Sequence, residues 1–301
     1  MRHDLSWADA HPGSHPFLGE IFSLAFVRGV EPLDALTRVG ALPDTLARRT
    51  PEEVSRLHEY DHGYPEVVSA LALGEWTVLC QPTGFELTHL VDALSRGTEA
   101  VALLRHDYAS PGFTHAVDGA VVTGFDPKHP GRRYGTDPDR LLPLMREAGF
   151  EPDSTAGQYD HSTSRALRLA GLVTGVVPTF DQLTAPLPSA HIDPWFTRTR
   201  PRTTADAHDL AERIVAELHL GSTPGLAPAL AAARRGDPVV VSPDSELGGH
   251  VREWSSTARR ASWSLNDPGG RHRMTDEERH RGYRLGHLVQ ALAAAFRADL
   301  A

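Results

Sequence analysis

Five consecutive residues, His58-Glu59-Tyr60-Asp61-His62, satisfy the spacing H-E-x-x-H. On a helix that spacing puts two imidazoles on one face to hold a zinc ion, while the intervening glutamate activates a metal-bound water, as in a zinc-dependent hydrolase. His58 and His62 are therefore candidate metal ligands, and Glu59 is a candidate general base. The surroundings weigh against this chemistry. Gly63 and Pro65 end the helical pattern at the second histidine, and Asp61 adds a charge beside it. A third ligand would come from His89, His106, Asp107 or His115, and the spacing selects none of them. An exposed last helical turn, whose imidazoles complement the negative helix end, accounts for the same residues.

Three further pairs place an imidazole near a carboxylate, as a general base needs: His106-Asp107, His115 with Asp118, and Asp126 with His129. All fall at strand ends or turns, where such residues also serve conformation. The chain has no G-x-S-x-G elbow, no phosphate-binding glycine loop and no dinucleotide fingerprint, so hydrolase, NTPase and dinucleotide-enzyme readings lose support. Its one cysteine, Cys80, sits in the apolar run Trp76-Thr77-Val78-Leu79-Cys80 and reads as a buried thiol. Arg132-Arg133-Tyr134 forms a basic corner just before a helix start at Asp137-Pro138, a combination suited to a carboxylate or phosphate. Arg252, Arg259 and Arg260 share a helical pattern with Trp254 and Trp263, and Arg271, Arg273, Arg279, Arg281 and Arg284 follow. Arginine and tryptophan favour interfaces, although Trp254 is placed for a core.

The elements that must position these groups come from 301 residues, enough for two modules, with 40% hydrophobic and 23% charged residues in the globular range. The net charge is −9; from Arg200 onward 14 arginines face 13 acidic residues, which leaves −10 on residues 1–199. An acidic module repels phosphate backbones, so nucleic acid is not expected as a partner. No run reaches the 18 or so apolar residues of a membrane span, and the first residues lack the apolar core of a secretion signal; both point to the cytoplasm. Lys128 stands alone beside 29 arginines, the usage of a GC-rich bacterial genome.

Apolar spacing predicts a first helix over Phe17–Val27, a second over Pro32–Val39, and a third opened by the capping box Thr50-Pro51-Glu52-Glu53 and running to about His62. Val67–Leu73 and Trp76–Gln81 read as a hairpin, Leu87–Ser95 as a helix and Thr98–Leu104 as a strand. Phe113–Val117 and Ala120–Phe125 flank Asp118-Gly119, a pair suited to a type I′ turn. Helices follow at Asp137–Ala148 and Ser162–Thr174. Prolines at 178, 186, 188, 194 and 201 mark a connector with few regular elements. Beyond it come four helical patterns, Ala205–His219, Leu226–Arg235, Leu247–Leu265 and Asp276–Ala298, with Val239–Val241 read as a short strand between the second and third. The expected organisation is an α+β domain at 1–177 built on a mostly antiparallel sheet with packed helices, a Pro-rich connector at 178–204, and a small helical domain at 205–301.

An ordered set of segments carries a resemblance: Phe26-Val27-Arg28-Gly29, Val39-Gly40-Ala41, Gly74-Glu75-Trp76-Thr77, Leu94-Ser95-Arg96-Gly97-Thr98, Asp118-Gly119 and Arg133-Tyr134-Gly135-Thr136-Asp137-Pro138. Over about Phe17 to Leu187 the chain resembles an uncharacterised actinobacterial-type family, a domain of unknown function. The resemblance implies a fold and supplies no activity, cofactor or catalytic residue. The layout is also similar to small α+β immunity-type domains, which bind another protein through an acidic face. The leading expectation is a non-catalytic protein-binding or regulatory module, with a protein partner or self-association and no cofactor. Its candidate binding residues are Trp76, Arg132, Arg133, Tyr134, Arg252 and Trp254. The alternatives are the zinc hydrolase of His58, Glu59 and His62, and anion binding at Arg132-Arg133-Tyr134.

Overall fold

The structure is a computed structural model that describes residues 4–14, 16–197, 206–265 and 274–296. The chain clusters into two compact units, Met1–Arg56 with Glu66–Thr197, and Leu57–Pro65 with Arg198–Ala301.

The first unit is α+β. Its strands are β1 (Ile21–Arg28), β2 (Ala47–Arg49), β3 (Glu66–Leu73), β4 (Trp76–Gln81), β5 (Glu99–His106), β6 (Gly112–Val117), β7 (Ala120–Asp126), β8 (His129–Tyr134) and β9 (Leu187–Ile192). They form one sheet in the order β2-β9-β3-β4-β1-β5-β6-β7-β8, and every pairing is antiparallel. The helices of this unit are α1 (Pro32–Arg38), α2 (Pro51–Leu57), α3 (Glu86–His89), α4 (Val91–Leu94), α5 (Leu142–Ala148), α6 (Ser162–Thr174) and α7 (Phe180–Thr184).

Side chains of β1 alternate between two cores. Phe22, Leu24 and Phe26 join Val78, Val101, Leu103, Phe113 and Phe125 under α5 and α6. Ala25 and Val27 join Ala70, Ala100, Ala102 and Ala116 under α1, α3 and α4. One face of the sheet is thus lined by large side chains and the other mostly by small ones. This explains why Phe17–Val27 forms no helix: a strand buried on both faces reads as a continuous apolar run, and its period of two is masked.

Several other boundaries depart from the sequence reading. The capping box forms, with Thr50 N–H donating to Glu53 at 2.7 Å and Glu53 N–H to Thr50 Oγ1 at 3.3 Å, but α2 stops at Leu57. The helix expected at Leu87–Ser95 breaks at Leu90 into α3 and α4. Asp137 does not start a helix, because the amides of Thr136 and Asp137 donate to Val121 and Val122 and prolong the strand pairing; α5 starts at Leu142. The Pro-rich stretch holds α7 and β9, and its residues 198–204 lie outside the described residues. Pro188 is tolerated because it is the second residue of β9 and lies outside the pairing with β3, which begins at Ser189. The hairpin turn at Asp118-Gly119 has positive φ at both residues, 49° and 77°, as type I′ requires.

The second unit contributes α8 (Ala207–Glu217), α9 (Leu226–Arg234), α10 (Glu246–Ser264) and α11 (Asp276–Phe296). Ile214, Leu230, Val251, Trp254, Leu285, Leu288 and Leu292 are buried there. Gly282 of α11 lies against Ala261 of α10 so closely that a Cβ would come within 2.5 Å of the alanine methyl. Val239–Val241 forms no strand, and Val240 is exposed. No helix among the described residues is long and apolar enough to cross a membrane.

The start of the chain is tied into the first unit at three points. Trp7 is buried with Phe22 and Phe180. Arg105 donates to the carbonyls of Ala8 and Ala10. Asp9 accepts from the first amides of α6, Thr163 at 3.0 Å and Ser164 at 3.1 Å, where His161 at the N-cap position supplies no side-chain cap of its own. Asp9 therefore caps a helix more than 150 positions away in the chain. Asp9→Ala is expected to cost about 0.5–2 kcal/mol, read as a lower urea midpoint with an unchanged slope.

Candidate functional site

The site is built outward from Gln81, the last residue of β4, which is fully buried. Its Oε1 accepts from Ser23 Oγ at 3.2 Å and from the Glu86 amide at 2.9 Å, and its Nε2 donates to Glu66 at 2.6 Å. The loop Pro82–Phe85 is thereby pinned to the strand ends. Gly84 lies directly over this network: a Cβ there would sit 2.1 Å from Gln81 Nε2 and 2.7 Å from Glu66 Oε2.

This pin presents Phe85 at a rim with His89 from the end of α3, His106 from the end of β5, and Tyr108 just beyond it. The Phe85 ring lies 5.8 Å from His89 and 6.3 Å from His106, and His106 lies 6.4 Å from Tyr108. Phe85 is 41% exposed and Tyr108 72%. His106 Nδ1 accepts from the Tyr108 amide at 3.2 Å, so that nitrogen carries no proton in this arrangement. The Tyr108 hydroxyl donates to Glu20, and that bond, with lesser help from desolvation and the charges of Glu20 and Asp107, holds the phenol above its ordinary pKa. Glu86 approaches His89 Nδ1 at 4.0 Å. Asp107 is instead bound to the buried Arg105 by bonds of 3.0 and 2.8 Å. The rim thus offers the faces of Phe85 and Tyr108, which are electronegative at their centres, beside the carboxylates of Glu20 and Glu86.

The residues singled out by sequence lie elsewhere. His58, Glu59 and His62 do not share a helix: α2 ends at Leu57, Glu59 is extended at φ −130° and ψ 161°, and Tyr60–His62 forms a separate 3-10 turn. His58 is half-buried, with its ring against Tyr64 and Trp263, and Glu59 and His62 are exposed. Burial, aided by nearby Arg259, outweighs the bond from His58 Nδ1 to the Pro65 carbonyl and lowers the imidazole pKa. The helical geometry that H-E-x-x-H needs is absent. Among the described residues no three His, Cys, Asp or Glu side chains gather as they would around a cation.

Trp76 and Trp254 are core residues, 6% and 5% exposed. Trp76 also backs an open cleft of about 370 Å³ near Arg28, Glu31, Pro32, Glu75 and Thr77. Arg28 lies 3.6 Å from Glu75 and 3.7 Å from Glu99 there. Arg133 is engaged by its own fold: it pairs with Asp139 and donates to the carbonyls of Pro130 and Pro152 at 2.8 and 2.9 Å. Tyr134 covers Gly124 on the neighbouring strand, and Arg132 is exposed at the outer strand β8. The Arg133 guanidinium is thus engaged within its own fold, while Tyr134 is 57% exposed. Arg252 lies half-buried on α10, while Arg271 and Arg273 lie outside the described residues.

The remaining pairs also have other partners. His115 bonds Glu99 at 2.8 Å, and Asp118 accepts from the Gly97 amide. Asp126 accepts from the Lys128 amide within its turn. Burial pushes the Cys80 thiol up to about 12, so it is no nucleophile at neutral pH. Sequence reasoning named His89 only as a spare ligand and His106 as a spare ligand or a general base beside Asp107, and it missed Phe85 and Tyr108. The available signal was an aromatic residue directly after Gly84 and another directly after His106-Asp107, both at strand ends.

Replacing Gln81 by leucine leaves the Glu86 amide, Ser23 and Glu66 without their shared partner. Gln81→Leu is expected to lose about 1–3 kcal/mol of stability and to accelerate hydrogen exchange at the Glu86 amide beyond the global change.

A family model described as a family of unknown function (DUF6461) matches residues 1–186. No curated protein matches the chain, and no solved structure does. The match takes in the N-terminal anchor at Trp7 and Asp9 and all the rim residues, and it stops one residue before β9. With residues 1–186 of 301 covered, the chain belongs to this family of unknown function.

Proposed function

We propose that the protein is a non-catalytic cytoplasmic binding or regulatory module whose acidic α+β unit docks a protein partner at the rim of Phe85, His89, His106 and Tyr108. The observation that carries this is the chain of four rings joined by three contacts at the surface, with Phe85 and Tyr108 well exposed, held in place by a buried polar pin. Exposed aromatic groups that are ordered by the fold lose little entropy on binding, and aromatic residues are enriched at interface centres. The formal charge of −10 on residues 1–199 favours a protein surface over a nucleic-acid one. A single buried thiol suits a reducing compartment.

The test places a photo-crosslinking benzoylphenylalanine at position 108 in the protein's own host. One discrete adduct is expected, reduced about tenfold or more by Phe85→Ala, the effect of losing one strong aromatic anchor. The same probe at Tyr159, exposed but remote in the chain, serves as the control. No adduct at 108, or equal adducts at both positions, rejects the assignment.

A further inference from the structure

We propose that the rim recognises an arginine-bearing segment of the partner protein; this rests on the reading of the rim as a docking surface. Three features of the rim converge on a planar cation. The first is the pair of exposed rings Phe85 and Tyr108, each 6.3 to 6.4 Å centre to centre from His106 between them, over either of which a guanidinium can lie while its edge reaches a neighbouring group. The second is the pair of carboxylates that border those rings, Glu20 at Tyr108 and Glu86 at His89, which can accept from the guanidinium fork. The third is the local charge balance. Arg105, next to His106 in the chain, is buried and already engaged by Asp107 and by the carbonyls of Ala8 and Ala10. His106 presents an unprotonated Nδ1 to the Tyr108 amide.

Arginine fits better than lysine. Its flat guanidinium stacks on an aromatic face and keeps its in-plane donors free for carboxylates, whereas an ammonium is a hydrated point charge. The same chain uses this contact twice in its own fold, with Arg105 over Phe17 and Arg260 over Tyr60, each 5.7 Å from the ring centre. An anionic or phosphate-bearing partner would meet Glu20, Glu86 and the wider negative charge of residues 1–199.

The 301-residue chain is titrated with two peptides of equal length, one carrying four arginines spaced by glycine and serine, the other with citrulline at those four positions, and backbone amide shifts are followed. The arginine peptide is expected to move the signals of Phe85, His89, His106 and Tyr108, to bind at least tenfold tighter than the citrulline peptide, and to weaken as salt is raised. Phe85→Ala and Tyr108→Ala are each expected to weaken it about tenfold while the protein stays cooperatively folded, since neither side chain belongs to the buried core. Equal binding of the two peptides at the rim overturns the cation assignment and leaves the docking surface standing. Arginine-peptide binding that moves other signals and ignores both variants also overturns it. Concentration-dependent self-association that Tyr108→Ala abolishes assigns the rim to a second copy of this chain and rejects the arginine segment. No rim shift with either peptide, together with no crosslink at position 108, removes both readings.

Discussion

The first unit depends on one strand being dry on both sides. β1 pairs with β4 across Ser23–Arg28 and with β5 across Ile21–Val27, so its backbone bonds are satisfied on both edges. Its side chains then go alternately to two cores of different character. Phe22, Leu24 and Phe26 are fully buried on one face, each worth about 1.5–3 kcal/mol in burial. On the other face Ser23, Ala25 and Val27 leave room for short helices to come close to the sheet. Everything that covers the sheet is sorted by this difference: α6, with the anchored Trp7, lies over the large side chains, and α1, α3 and α4 lie over the small ones.

That same feature limits what can be read from the chain alone. Helices that are amphipathic, such as α6 and α8, and the Asp118-Gly119 hairpin declare themselves, because one face is wet or one turn has special backbone angles. β1 does not, since burial on both faces erases the polar beat that distinguishes a strand from a buried helix. β9 is hidden differently: three prolines stand within or beside it at 186, 188 and 194. The sheet accepts them because Pro188 precedes the pairing with β3. β8 is masked by Pro130, Gly131 and two arginines, a composition that an outer strand tolerates and a central one would not.

The candidate site was legible only in fragments. Motif spacing drew attention to His58 and His62, but motif geometry depends on a continuous helix, and the chain leaves that helix at Leu57. Charge and aromaticity drew attention to Arg133, Trp76 and Trp254, yet these types are equally suited to brace an edge or fill a core, and here they do. The rim escaped notice because its four rings come from the strand end after β4, the end of α3, the end of β5 and the turn beyond. Their proximity is set by the antiparallel register that brings Ile21 opposite His106 and Ser23 opposite Gln81. Register across β1 is not a local property of any of the segments involved.

The rim and the core are therefore one construction. Gln81 closes β4 on the face with small side chains, where a buried carboxamide has space but no water, so its hydrogen bonds must come from protein. It takes them from Ser23 on the central strand, from Glu66 on β3 and from the first turn of α3. A leucine at this position would pack acceptably against Ala-lined neighbours but would leave the loop after β4 untethered. The polar group thus adds its hydrogen bonds to the fold and fixes the path through Gly84 to Phe85. On the β5 side Arg105 and Asp107 do the same work, holding the turn that carries Tyr108 to the anchored N-terminal segment. Both halves of the exposed ring chain are thus held by buried polar contacts, which is the arrangement expected when order at a surface serves recognition and not only folding.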